Sequence, residues 1–228
     1  MFRKALALAV TSSFAPLLLL DDNVAPDTKR HAICILYPNN SNARGIVSFS
    51  QDNINSATKI ACSVKGLSPN GKHGIHVHEF GDLTDGCATA GAHYNPFNKN
   101  HGGPFTEERH VGDLGNLTAD PFGNSYMCFT DKQLSLFGEY SIVGRSVVVH
   151  AQEDDLGKTD HPDSKKTGNS GARVACGVIG LSKEFKTVPP VQEWMISVQF
   201  IQILTFGLES WKITLSFRCL QLTAYKLR

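Results

Sequence analysis

From Ala32 onward the apolar residues come in short alternating runs, and turn residues cut each run off before a helix of ordinary length can form. Ile33, Ile35 and Tyr37 alternate with Cys34 and Leu36, and Ile46 to Phe49 and Lys59 to Val64 follow in the same style. Pro38-Asn39-Asn40-Ser41-Asn42 and Ser68-Pro69-Asn70-Gly71 separate them, in residues that favour turns. Short β runs at this spacing, with no long stretch of 3.6-residue period, predict an all-β sandwich or barrel. Gly144 to His150 reads as a buried central strand and Ala175 to Leu181 as the last one.

Two stretches break the rhythm. Gly81 to Gly115 and Gln152 to Gly171 are long, rich in Gly, Asp, Asn and His, and poor in apolar runs. Long structureless loops in a compact domain are usually functional or disordered. A bound metal together with a disulfide would order the first.

His76-Val77-His78 is the sharpest local signal. On a strand, residues two apart project from one face, so both imidazoles can reach one ion while Val77 points into the core. His93, His101, His110 and Asp113 follow inside the first long loop, and three imidazoles with one carboxylate suit a closed tetrahedral zinc site. His150, closing the run Val147-Val148-Val149, adds a ligand to the His76–His78 pair. Imidazole-rich sites without thiolates fit copper or zinc.

These motifs closely resemble those of the copper/zinc superoxide dismutase family. Gly74-Ile75-His76-Val77-His78-Glu79-Phe80-Gly81-Asp82 is similar to the family's first signature. Gly91 to Pro96, His101 to Pro104 and Arg109 to Asn116 resemble its zinc loop, and Gly144 to His150 the strand with the last copper ligand. Gly168 to Gly180 is similar to the second signature. The resemblance implies a Greek-key β-sandwich or barrel of about eight antiparallel strands with two long functional loops. It implies copper held by His76, His78, His93 and His150, and zinc held by His93, His101, His110 and Asp113, one ion of each per subunit. His93 then bridges both metals as an imidazolate, which two cations make favourable. Asp154 is expected to accept hydrogen bonds from His76 and His101 and so orient them. Arg173 is expected beside the open copper position, attracting superoxide, with Lys165 and Lys166 raising the local potential. Where relatives often carry carboxylates before these lysines, this chain has His161-Pro162-Asp163-Ser164. Cys87 and Cys176 match the family's intrasubunit disulfide.

Of the other cysteines, Cys34 is expected to be a free core thiol. Cys62 and Cys128 lie on strands that can be neighbours, which raises a second disulfide as a hypothesis. Asn39-Asn40-Ser41 and Asn116-Leu117-Thr118 are glycosylation sequons, usable only in a secreted chain.

The ends differ from the middle. All nine histidines fall between His31 and His161. Residues 31–180 hold 12 Lys+Arg against 15 Asp+Glu, whereas from Leu181 onward the ratio is 6 to 3. Arg3 and Lys4 precede an apolar, uncharged run from Ala5 to Leu20 that Asp21-Asp22 ends, so residues 1–22 read as a secretory signal peptide. Residues 23–30 read as a linker, 31–181 as the copper/zinc domain and 182–228 as a tail with no family counterpart. The tail's uncharged stretch, Trp194 to Leu208, is shorter than the span of a bilayer, and a translated intron or an imperfect gene model is the expected origin of the tail, with an added interaction segment or a membrane anchor as alternatives.

The expected activity is therefore disproportionation of superoxide in antioxidant defence. The partners expected are the superoxide anion and, as in relatives, a second subunit; the net charge of +1 argues against nucleic acid, and a membrane is not expected. Two alternatives stand beside it. A secreted copper/zinc-binding module without turnover would lack Arg173 or an open metal position, and a non-catalytic sandwich would lack copper ligands. Secretion is the expected localisation, with a cytoplasmic enzyme as the alternative.

Overall fold

The computed structural model describes residues 29–184. Eight strands follow in chain order: β1 (Arg30–Pro38), β2 (Arg44–Gln51), β3 (Thr58–Lys65), β4 (Lys72–His78), β5 (Asp113–Thr118), β6 (Ser125–Asp131), β7 (Ser146–His150) and β8 (Arg173–Ser182). They form one antiparallel sheet in the order β5-β4-β7-β8-β1-β2-β3-β6. The outer strands β5 and β6 approach one another without a ladder, so the sheet curls into a nearly closed barrel. Links from β3 to β4 and from β6 to β7 cross between the two ends of the sheet, the returns of a Greek key. Helix among the described residues is confined to a turn at Ala88–Ala90 and the four-residue α1 (Ser164–Thr167). None is long and apolar enough to cross a membrane. The all-β expectation holds.

The barrel interior is filled by Leu36, Val47, Phe49, Ile60, Ile75, Leu117, Ile142, Val147 and Val149, all essentially without solvent contact. Burying each such side chain contributes roughly 1.5–3 kcal/mol. On β1 the inward face is Ala32, Cys34 and Leu36, while Ile33, Ile35 and Tyr37 look outward. On β4 every residue after Lys72 is buried, because the barrel covers one face and the long loops cover the other. That is why a strand of the sheet can carry histidines out of water.

Cys62 and Cys128 do not pair. In the β3–β6 register Cys62 stands opposite Met127 and Cys128 opposite Ala61, so the two side chains point to opposite faces. Cys62 keeps a free, buried thiol, which burial pushes up to about 12. Cys34 is likewise free and buried, as expected. The signal segment, all but two residues of the linker, and the tail beyond Glu184 with its Trp194–Leu208 stretch lie outside the described residues.

Candidate metal centre

Strands β4 and β7 are neighbours, with His76 opposite Val148 and His78 opposite Ser146. His76 and His78 leave the same face of β4, and a register shift at the end of β7 turns His150 toward them. His93 comes from the first loop, where a bridge to His78 and the bonds of Tyr94 and Gly112 to Val77 stitch the loop onto β4. A Cβ at Gly112 would fall on the Val77 carbonyl, so this approach needs glycine.

The far nitrogen of three of these rings is already engaged. His78 Nδ1 donates to Gly91 O at 3.0 Å, His150 Nδ1 donates to Gly171 O at 3.0 Å, and His76 Nε2 donates to Asp154 Oδ2 at 2.8 Å. Carbonyl and carboxylate oxygens only accept, so the opposite nitrogens carry lone pairs. Those lone pairs converge. His78 Nε2 and His150 Nε2 stand 3.5 Å apart, and the Nδ1 of His76 and Nε2 of His93 are buried without a hydrogen-bond partner. Four such donors, each within 4.8 Å of the others, repel one another unless a cation lies between them.

A second cluster lies behind the first, around Asp113 at the start of β5. Asp113 Oδ1 is 3.0 Å from His93 Nδ1, 3.0 Å from His101 Nδ1 and 3.2 Å from His110 Nδ1. Ligand bonds of about 2.0 Å in a tetrahedron place the ligand atoms about 3.3 Å apart, so these distances suit a zinc-sized ion. Asp113 Oδ2 is occupied by the backbone N–H groups of Gly102 and His110. His76 also comes near this cluster, but its Nε2 is committed to Asp154.

Asp154 joins the clusters. Its Oδ2 takes His76 and its Oδ1 takes His101, each at 2.8 Å. Asn116 holds the Asp154 backbone in turn, its side chain accepting from the N–H and donating to the carbonyl, both at 2.8 Å. Gly168, at φ +65°, lies against the pair; a Cβ there would overlap Asp154 Oδ1.

Arg173 begins β8 and is half-buried. Its guanidinium donates to the carbonyls of Cys87 at 2.7 Å and Gly91 at 2.6 Å. Gly91 O therefore serves both Arg173 and His78. Cys87 and Cys176 are bonded, tying this loop to β8 across 89 residues. Lys165 and Lys166 sit exposed on α1, where Lys165 folds its ammonium back onto Gly157 O while its own carbonyl accepts from His101 N–H.

Electrostatics separate the two clusters. Burial holds His76 and His78 well below the usual imidazole range and brings His150 down to about 4. Burial also lowers His93. It opposes charging of His101 too, but bonds to Asp113 and Asp154 and their charge carry that ring up to about 9. Burial pushes the Asp113 carboxyl up, and bonds from His101, His110 and His93 outweigh it and hold Asp113 well below the carboxylate range. Desolvation is the cause of a lowered Arg173 as well.

Several supporting residues have no signal of their own in the sequence. Arg109, fully buried in the zinc-type loop, donates to Asp113 O at 2.7 Å and pairs with Asp131. His73 Nδ1 donates to His150 O at 2.9 Å. Asn116 ends the zinc-type stretch, and its sequon nitrogen donates to Asp154 O. Asn39, the other sequon residue, donates to Arg173 O at 2.8 Å.

The matches to known proteins fall on these same residues. A family model described as copper/zinc superoxide dismutase matches residues 43–179. A superoxide dismutase [Cu-Zn] of Kluyveromyces lactis is 54% identical over 152 residues, covering 67% of this chain and 97% of the relative. Superoxide dismutase [Cu-Zn] 5 of Dictyostelium discoideum is 51% identical over 67% of this chain and 98% of its own. An extracellular superoxide dismutase [Cu-Zn] of Brugia pahangi is 50% identical over 66% of this chain and 76% of its own. With two histidine clusters joined by one carboxylate and more than half its length matched by that model, this chain belongs to the copper/zinc superoxide dismutase family.

Proposed function

We propose that this chain is a superoxide dismutase using copper and zinc: two superoxide ions and two protons become dioxygen and hydrogen peroxide. The observation that carries this is the facing pair of imidazole lone pairs on His78 and His150, 3.5 Å apart, with His78 and the half-buried Arg173 sharing the Gly91 carbonyl. His76, His78, His93 and His150 would hold copper, and His93, His101, His110 and Asp113 would hold zinc. Bound copper supplies a one-electron acceptor and donor, while bound zinc supplies charge without redox chemistry. Arg173, pinned by two carbonyls, attracts and holds the anion at the mouth. His93 offers Nδ1 to one cluster and Nε2 to the other, so Nε2 can take and return a proton without moving the ring. Asp154 keeps the His76 and His101 rings aimed. A module that sequesters metal without turnover would lack Arg173 or an open metal position, and this chain has Arg173. Pulse radiolysis of the full chain loaded with one copper and one zinc should give superoxide decay near the diffusion limit that slows with salt. Full metal occupancy with no decay above buffer would sink the proposal.

The wider assignments belong to the same proposal. Residues 1–22 act as a signal peptide for secretion, supported by Arg3-Lys4 ahead of the apolar run, with residues 23–30 a linker, 31–181 the catalytic domain and 182–228 an appendage. Strands β1 and β8 begin and end one residue outside that domain, at Arg30 and Ser182. Two subunits pair through exposed apolar residues of the outer face, among them Ile35, Ile46, Val178 and Leu181, the last 64% exposed. N-terminal sequencing of secreted protein and sedimentation analysis check these two points. A retained Met1 or a monomer at micromolar concentration would refute them.

A further inference from the structure

We infer that Asn39 is a positioning residue for Arg173. The inference rests on the role proposed for Arg173. Strand β1 pairs with β8 as far as Pro38 opposite Ala175, a pair flanked by the bond from Asn39 N–H to Val174 O. The β1–β2 turn serves two successive carbonyls of β8 here. Asn39 backbone N–H donates to Val174 O at 2.8 Å, and its side-chain Nδ2 donates to Arg173 O at 2.8 Å. Ser41 Oγ adds a second bond to Val174 O at 2.6 Å. The Asn39 backbone thus makes the last ladder bond, and its side chain reaches the carbonyl one residue further along β8.

The location gives this bond its consequence. Arg173 sits opposite His150 at the register shift between β7 and β8. β7 pairs with its backbone on one side of the strand, and Asn39 adds a constraint from the side of β1. The guanidinium is held at its far end by Cys87 O and Gly91 O. Asn39 closes the same circuit, since a Cβ on Gly86 of that loop would meet Asn39 Oδ1 at 2.7 Å. One asparagine fixes where the arginine leaves the strand and lies against the loop that receives its tip.

The test uses copper- and zinc-loaded full-length protein and azide as the anion, titrated by the copper absorption band. Asn39→Ala should weaken azide binding by about fivefold, the effect of losing one hydrogen bond of about 1 kcal/mol. Asn39→Asp, of the same shape but unable to donate, should weaken it at least as much and serves if the alanine variant fails to fold. Ser41→Ala breaks a bond in the same turn without touching Arg173 O, so it should lower thermal stability and leave azide affinity unchanged. In an Arg173→Ala background, Asn39→Ala should have no further effect on azide. Equal azide affinity in Asn39→Ala and wild type, or equal losses in Asn39→Ala and Ser41→Ala, overturns the inference while the role of Arg173 stands. Unchanged affinity in Arg173→Ala removes that role, and the inference falls with it.

Discussion

The two histidine clusters share His93 and Asp154 yet are built on opposite principles. In the first, strands carry His76, His78 and His150, and two of the rings are pinned by neutral backbone carbonyls. Burial then dominates, and the imidazoles stay neutral with lone pairs facing inward. In the second, loop residues supply most of the donors, and the rings are pinned by carboxylates that charge His101. A rigid neutral cage suits an ion whose surroundings must change little as it gains and loses an electron. A charged cage made from loop suits an ion that organises its own walls.

The largest test of that contrast is ligand deletion. His78→Ala or His150→Ala should abolish activity while circular dichroism and the cooperative unfolding transition remain near wild type. His110→Ala should instead lower zinc content and melting temperature first. Equal losses of stability from both kinds of variant would erase the distinction. Next in size, Cys87→Ser with Cys176→Ser should lower unfolding free energy by about 4–5 kcal/mol in denaturant titration, with the loop at Gly91 loosened and both clusters affected. An effect below about 1 kcal/mol would show that the metals alone order the loop.

Asp154→Asn should reduce affinity for both ions by about 10- to 100-fold, measured by chelator competition, and Gly168→Ala should act in the same direction. Loss confined to one ion would mean that Asp154 does not act on both clusters. The smallest effect, per pH unit, comes from protonation. A proton competes with a metal for the same ring nitrogen, so affinity weakens only below the ring's pKa. With His150 near 4, copper should be retained until pH falls toward 4, well below the ordinary imidazole midpoint. With His101 near 9, apparent zinc affinity should already decline by up to about tenfold per pH unit below 9. Metal analysis after dialysis across that range separates the two profiles.

What could be seen in the sequence was mostly periodic or local. Alternation identifies the strands, and His76-Val77-His78 places two rings on one face because that follows from the pleat alone. Which face of β1 is buried was not visible, since Ile33, Ile35 and Tyr37 are as apolar as the inward Ala32, Cys34 and Leu36. The Cys62–Cys128 hypothesis had the right neighbouring strands and the wrong parity: a register differing by one residue puts every side chain on the opposite face. Asn116 and Gly168 went unassigned because their work is done on Asp154, 38 and 14 positions away, and only the closed fold brings them there. The long loops stand out in the sequence, but nothing there marks Arg109, inside the zinc-type stretch, as buried or as bonded to Asp113 O and Asp131.

Asp154 has one oxygen on each cluster, and that division has a thermodynamic consequence. An ion that fixes His101 also fixes the carboxylate, and the carboxylate fixes His76 before copper arrives. Part of the ordering cost of the second site is then already met. The two ions should load cooperatively, and by reciprocity zinc must strengthen copper binding by the same factor by which copper strengthens zinc binding.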